Sequence, residues 1–179
     1  MKVKKTYIQQ LCFDGKTYKK GVVVDLLAKF NIAAREFPFK MNPEAKELPA
    51  RDWAGEDGRD VYIPKTIPMK NYDMEAEFLY CGTEATISDD VSAFINFIYG
   101  RNKDAVGGRL AMYDEHTNTG RKDVHVLSVD NNLYEVDDSD PDAIASFKVK
   151  LSVEDPTTDV ALKKSIISGK EVVTDLEFK

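Results

Sequence analysis

Residues 72–80 read Tyr72-Asp73-Met74-Glu75-Ala76-Glu77-Phe78-Leu79-Tyr80. Apolar side chains at 72, 74, 76, 78 and 80 alternate with Asp73, Glu75 and Glu77. Successive side chains of a β-strand point to opposite faces, so this period predicts a strand with one buried and one wet face. Working outward, the alternation returns at Val124–Val129 and at Ala145–Val153, where it runs through Phe147, Val149 and Leu151 and is ended by Pro156. Arg109–Tyr113 is a further strand expectation, after a turn at Gly107-Gly108. Toward the N-terminus, Tyr7–Phe13 and Gly21–Val24 flank Asp14-Gly15, a hairpin signal because both residues tolerate positive φ. Leu26-Leu27 prolongs the apolar character of the second of these strands. Phe30–Phe39 reads as a strand with an edge or bend at Pro38, and Val61-Tyr62-Ile63 as a short strand before Pro64.

One helix interrupts this pattern. Ser88 is placed as its N-cap, and Asp89 and Asp90 complement the positive helix end. Val91, Phe94, Ile95 and Ile98 share a face, and Gly100 stands where helices stop in the left-handed conformation, which places the helix at 88–99. The polar passage 42–60, with Pro43, Pro49, Gly55 and Gly58, is a long loop of the kind that serves function or an interface. Helix is a minority and the strands are short and mostly antiparallel. The expected fold is therefore mainly β: an antiparallel β-sandwich or split barrel with one flanking α-helix, not a βαβ nucleotide fold. The main domain is placed at 1–156, with 157–179 a C-terminal arm or last strand.

At 179 residues the chain suits one domain, and its 42% hydrophobic and 31% charged content argues against wholesale disorder. No apolar run approaches the roughly 18 residues of a spanning helix, so no membrane role is expected. The start, Met1-Lys2-Val3-Lys4-Lys5, is basic but no apolar signal core follows it. A net charge of −6 lacks the footprint of a protein that grips phosphate backbones, and no sequence-specific nucleic-acid binding is expected. Such a chain could still line a passage through which nucleic acid slides, because like charge repels. Cys12 and Cys81 stand beside apolar strand residues and read as two small buried thiols rather than a disulfide framework.

No catalytic constellation assembles from sequence. His116 falls in a polar turn and His125 in an alternating strand, no Gly-x-Ser-x-Gly elbow occurs, and neither cysteine has a catalytic context. The acidic runs Glu56–Asp60 and Asp137–Asp142 suit a hard cation in composition, but neither has the spacing of a calcium loop. No metal or cofactor is expected, and P-loop and dinucleotide fingerprints are absent. Trp53, flanked by Arg51, Asp52, Glu56 and Asp57 in the long loop, is either an interface anchor or a plug on its own core. Arg51, Trp53, Glu56, Asp57 and Asp60 are the candidate inter-subunit contacts.

The order of elements resembles the N-terminal domain of phage distal tail proteins, the ring subunits that join a siphophage tail tube to its tip. The resemblance rests on Phe13-Asp14-Gly15-Lys16, the strand from Gly21 to Leu27, and Ala54-Gly55-Glu56-Asp57-Gly58, which is similar to that family's Pro-Gly-x-Asp-Gly loop with alanine at the proline. It continues through the strand to Tyr80, the helix from Ser88, Gly108–Asp114 and the closing strand Phe147–Val153, and so covers about Tyr7 to Asp155. Two departures are a longer loop around Trp53 and no room for the further C-terminal domain that many relatives carry. The resemblance implies a β-sandwich with a flanking helix, hexameric homo-oligomeric rings, contacts with other tail proteins, and no catalytic residues. It also implies residence in a virion tail after production in a bacterial cytoplasm. A tube-type ring subunit or a prophage relative fits the same pattern. The competing expectations are a β-sandwich module that recognises carbohydrate or peptide through aromatics near Trp53, and a metal-dependent hydrolase using the acidic turns.

Overall fold

The computed structural model describes residues 4–130, 133, 135 and 142–179. Of the acidic run Asp137–Asp142, all but Asp142 lie outside the described residues. The elements are β1 (Thr6–Phe13), β2 (Tyr18–Asp25), α1 (Leu26–Phe30), β3 (Ile32–Glu36), β4 (Ala50–Arg51) and β5 (Asp60–Val61). They continue with β6 (Tyr72–Tyr80), α2 (Ile87–Ile98), β7 (Arg109–Asp114), β8 (Thr119–Val129), β9 (Ala145–Val153), β10 (Val160–Ile167) and β11 (Lys170–Phe178).

β6 is the strand on which the sheet is organised. It pairs along its whole length with β9, from Tyr72 opposite Val153 to Tyr80 opposite Ala145, and on its other side with β3. The complete sheet has seven strands in the order β2-β1-β7-β8-β9-β6-β3, antiparallel at every junction. The alternate residues Tyr72, Met74, Ala76, Phe78 and Tyr80 are buried, and across the register they meet Ala145, Phe147, Val149, Leu151 and Val153. Together they make one apolar face, onto which α2 presses Val91, Phe94, Phe97 and Ile98. The Phe94 ring meets those of Phe30, Phe78 and Phe147 at centroid distances of 5.7, 5.3 and 5.9 Å. Such aromatic pairs add about 0.5–1.5 kcal/mol each beyond the area they bury.

Three local expectations are corrected. Leu26-Leu27 does not prolong β2 but opens α1, because the Asp25 carboxylate accepts hydrogen bonds from the Leu27 and Ala28 backbone N–H groups and caps a helix there. Asn31, at φ 56°, ends that turn of helix. Ser88 is not a cap: α2 begins one residue earlier, spanning 87–98 rather than 88–99, with Thr86 at the N-cap position. Asp90 instead accepts from the Tyr80 hydroxyl at 2.7 Å and from Asn31 Nδ2 at 3.0 Å, tying the helix to β6 and α1. Cys12 is exposed, because burial along β1 stops at Leu11, and Cys81 is half-buried; the two form no disulfide. Gly100 does take the left-handed conformation, at φ 68°. Gln10 completes that helix end: its side-chain amide donates to the Phe97 carbonyl at 2.6 Å and to Asn102 Oδ1 at 2.7 Å, and its oxygen accepts from Val106 N–H.

The C-terminal residues, expected as an arm or one last strand, form the hairpin β10–β11. It lies against the sheet face opposite α2, over the β2-β1-β7-β8 half, and closes a second core of Tyr7, Leu11, Ala111, Val160 and Leu176. Tyr18 and Phe178 meet edge to face at the rim of this core, with the Lys122 ammonium 4.9 Å from the Tyr18 centroid. Over the middle of β9 and β6 the same face is polar and solvated, and Glu75 pairs with Lys148 at 3.1 Å. The architecture is thus mainly β and antiparallel, layered as helix, sheet and hairpin, in line with the expected class. The β1–β2 turn also forms where Asp14-Gly15 placed it, but by other means. Only Gly15 takes positive φ, while the Asp14 carboxylate accepts the Lys16 and Thr17 N–H groups at 2.8 Å each.

Candidate interaction surface

Between β3 and β6 the chain leaves the body of the domain. From residue 41 to residue 71 no side chain is buried. The excursion is an arm of two facing limbs. At its root Lys70 N–H donates to the Glu44 carbonyl at 2.7 Å, Ala45 bridges Met69, and Lys46 N–H donates to the Pro68 carbonyl at 2.8 Å. Farther out Tyr62 N–H donates to the Pro49 carbonyl at 3.0 Å, and β4 pairs with β5 as Ala50 opposite Val61 and Arg51 opposite Asp60. Pro43, Pro49, Pro64 and Pro68 lie along the limbs and have no N–H to give to a ladder, which keeps the strands to two residues each. This corrects the strand expected at Val61-Tyr62-Ile63: of the three only Val61 belongs to the strand, and the Tyr62 and Ile63 side chains stand in solvent.

All five candidate contact residues belong to the outer part of this arm and all are exposed. Trp53 is 49% exposed and belongs to neither core cluster, so it does not plug the domain. The Arg51 guanidinium lies 5.9 Å from its ring centroid, within cation–π range. Glu56 N–H donates to the Trp53 carbonyl at 3.2 Å, closing a turn at the tip. Gly55 and Gly58 hold φ of 101° and 83°, which L side chains rarely adopt, and this accounts for glycine at both places in the Ala54–Gly58 run. Asp52, Glu56, Asp57 and Asp60 form no ion pair among the described residues.

Sequence inspection missed two parts of this surface. The first is its apolar content: Met41, Tyr62, Ile63 and Ile67 are 76, 69, 68 and 42% exposed. The prolines at 64 and 68 were the signal, since a strand so interrupted cannot enter a central sheet position. The second is the anchor of the arm. Arg121, 4% exposed, donates from Nη2 to the Lys40 carbonyl at 3.1 Å and from Nη1 to Gly120 O at 2.8 Å and Asp159 Oδ1 at 2.6 Å. Lys40 N–H in turn donates to the Tyr72 hydroxyl, whose pKa burial pushes up. One guanidinium therefore ties the arm root to β8 and to the start of the hairpin.

The remaining chemistry is dispersed. His116 is exposed in its turn, and His125 Nδ1 lies 3.7 Å from Glu154. Among the described residues no three His, Cys, Asp or Glu side chains converge as a metal site, and no helix is long and apolar enough to cross a membrane. A pocket of about 380 Å³ opens over Tyr7, rimmed by Lys5, Asp25, Glu115, Lys164 and Glu171. Burial, reinforced by Glu115, Asp25 and Glu171, pushes the Tyr7 hydroxyl up to about 12, so at neutral pH it is a proton donor and not a nucleophile. A longer groove, about 530 Å³, follows the free edge of β2 and is bounded by Val22, Val24, Ala28, Lys29, Phe97 and Val106.

No protein-family model matches the chain, and no curated protein matches it. Among solved structures it is similar to the SPP1 Dit (gp 19.1) protein, described as a paradigm of the hub adsorption apparatus in phages that infect Gram-positive hosts. That likeness has a TM-score of 0.41 at 13% identity and covers 89% of this chain and 54% of the other, so this chain spans about half its length.

Proposed function

We propose that this protein is a structural subunit that works by assembling with copies of itself through the 41–71 arm, as a ring component of a phage or prophage tail. The observation that carries the reading is the arm itself. A folded segment with no buried side chain contributes nothing to its own domain's core, yet it holds Trp53, Tyr62, Ile63 and Ile67 in solvent. An exposed apolar set of this kind, gathered on one folded segment, marks an interaction surface. The tail assignment is supported by the order of elements on which the resemblance rests: a β1–β2 turn at Asp14, a Gly55–Gly58 loop, the strand ending at Tyr80, the helix after it and the closing strand β9. In this role Arg51, Trp53, Glu56, Asp57 and Asp60 meet a neighbouring subunit, and hexameric rings contact other tail proteins above and below.

Light scattering and negative-stain microscopy across a concentration series test the proposal. Ring-sized particles should grow in with concentration, and Trp53→Ala with Tyr62→Ser should reduce them to monomers. A wild-type chain that stays monomeric at every concentration sinks the reading. Glycan-array binding that survives in the monomer and is lost with Trp53→Ala would instead select the carbohydrate-binding alternative, which the half-exposed Trp53 with its Arg51 partner favours.

A further inference from the structure

We infer that the pocket over Tyr7, between the sheet and the C-terminal hairpin, is a binding site for a small organic ammonium ion. The charged head meets the Tyr7 hydroxyl and Glu115, and the alkyl part lies against Val23, Val172 and Val173. No residue of the arm lines this site. It exists because the hairpin does not close onto this end of the sheet. Tyr7 stands on β1 between Asp25 of β2 and Tyr113 of β7, while Val172 and Val173 of β11 form a wall, Val172 still 41% exposed. The space left is about 380 Å³, at the small end of the range of about 300–1,000 Å³ that small-molecule sites occupy.

The first observation is an unpartnered polar group. Tyr7 is 7% exposed, yet its hydroxyl makes no hydrogen bond among the described residues. The side-chain atoms that are both unpartnered and wholly occluded there are Gln9 Oε1 and Arg121 Nε, so the Tyr7 hydroxyl opens on the pocket that Tyr7 lines. Buried polar groups nearly always have a partner, because leaving one unmade is costly. Burial first, then the charges of Glu115, Asp25 and Glu171, keep this hydroxyl protonated. It therefore has a proton to give and lone pairs that accept from an ammonium group.

Charge decides the sign of the ligand. Both cations of the pocket are already matched: Lys5 Nζ meets Asp25 Oδ2 at 2.5 Å, and Lys164 Nζ meets Glu171 Oε2 at 3.4 Å. The remaining carboxylate, Glu115, forms no ion pair among the described residues. Its Oε2 accepts the Lys5 backbone N–H at 3.1 Å, and Lys4 reaches only its main-chain carbonyl, at 3.5 Å. The lining therefore holds one negative charge in excess beside an open hydroxyl, which attracts a cation and repels an anion. A metal ion does not suit it, because among the described residues no three His, Cys, Asp or Glu side chains converge. The valines favour a cation that carries an apolar chain.

Titration of the full chain with butylammonium tests the site, read by the tyrosine ring signals in NMR and by Tm, since a ligand that binds only the folded form raises Tm. Butanol and butyrate are the neutral and anionic controls. Butylammonium should bind, shift the Tyr7 signals and raise Tm, and the two controls should do so far less. Tyr7→Phe keeps the ring in the second core and removes the hydroxyl, while Glu115→Gln removes the charge and keeps an acceptor for the Lys5 N–H. Each should weaken binding by about tenfold, and Glu47→Gln on the arm, an equal change of net charge, should leave it unaltered. Glu115 belongs to neither core cluster, so Glu115→Gln carries the test even where Tyr7→Phe melts early. Absence of binding, butanol binding as tightly as butylammonium, butyrate binding more tightly, or an affinity unchanged by Glu115→Gln would each overturn the proposal. Nα-acetyl-lysine amide presents the same ammonium group on a peptide: tighter binding than butylammonium identifies a protein side chain as the source of the cation, and weaker binding a free amine.

Discussion

Excising the arm separates folding from assembly. The Lys70 N–H to Glu44 O bond marks the root as an antiparallel pair, so residues 45–69 can be replaced by Asn-Gly, a two-residue hairpin turn. Keeping residues 37–44 preserves Phe37 in the core and the Lys40 links to Arg121 and Tyr72. The excised residues include no buried side chain, so the lost hydrophobic contribution is small. Shortening the connection from about 25 residues to two lowers the loop-closure entropy cost by at most about 2 kcal/mol, because each doubling of length is worth about 0.6 kcal/mol. The two effects oppose each other, and the net should stay within about 1 kcal/mol, or about 2–4 °C in Tm for a domain of this size. Differential scanning calorimetry measures the stability, run at a concentration where the wild type is monomeric, since association raises apparent stability by mass action. Light scattering at high concentration measures assembly. An armless chain that melts within a few degrees of wild type and remains monomeric is the expected result. A fall in Tm of more than about 10 °C would show that the arm belongs to the core, and ring-sized particles without it would refute the arm as the joint.

Three further outcomes follow from the packing. Phe94→Ala removes a fully buried ring in contact with Phe30, Phe78 and Phe147 and should destabilise by about 3–5 kcal/mol, read as a lower urea midpoint at unchanged slope. Gln10→Met leaves the Val106 N–H without that partner, while the Phe97 carbonyl keeps Gly100 N–H, and should lose about 1–3 kcal/mol, with faster hydrogen exchange at residues 99–106. Burial alone would raise the pKa of Asp175, but hydrogen bonds from Gln9 and Lys20 and the charge of Lys20 hold it below the usual carboxylate range. A folded-state pKa below the unfolded value means stability that is present above about pH 4 and lost as pH falls toward the folded value. Urea midpoints should therefore drop on acidification below pH 4, and Asp175→Asn should flatten that decline; an unchanged slope would show that Asp175 carries none of it.

The strands that sequence placed to the residue were β6 and β9, because one face of each is buried throughout while the other is wet over Asp73–Glu77 and Lys148–Lys150. Period 2 survives there, although Leu79, Ser146 and Ser152 are buried as well. Where burial came from both sides the pattern blurred: β1 carries Thr6, Tyr7, Ile8, Gln9, Gln10 and Leu11 all buried, α2 lying over one face and the hairpin over the other. The hairpin itself was illegible for the opposite reason. Its buried side chains Val160 and Leu176 are few, and Ile166, Ile167 and Val172 remain exposed, so no face is marked by composition. α1 escaped because a five-residue helix is too short to show a period and is specified by its ends, Asp25 and Asn31, instead.

The arm was visible as a long loop for a related reason: nothing in it alternates because nothing in it is buried. Its prolines and its positive-φ glycines say that the backbone is shaped, while its Trp, Tyr and Ile residues say that the shape is not finished by this chain. A segment unstructured for lack of apolar residues would read as polar throughout, and a segment packed on its own domain would show a buried face. Residues 41–71 do neither. Meanwhile Arg121, a buried cation that hydrogen-bonds the Lys40 carbonyl, holds the root to β8 and to Asp159 at the start of the hairpin. A fixed root with an unsatisfied outer part is the arrangement expected of a contact whose other half is another molecule, since ordering the limb beforehand lowers the entropy lost on docking.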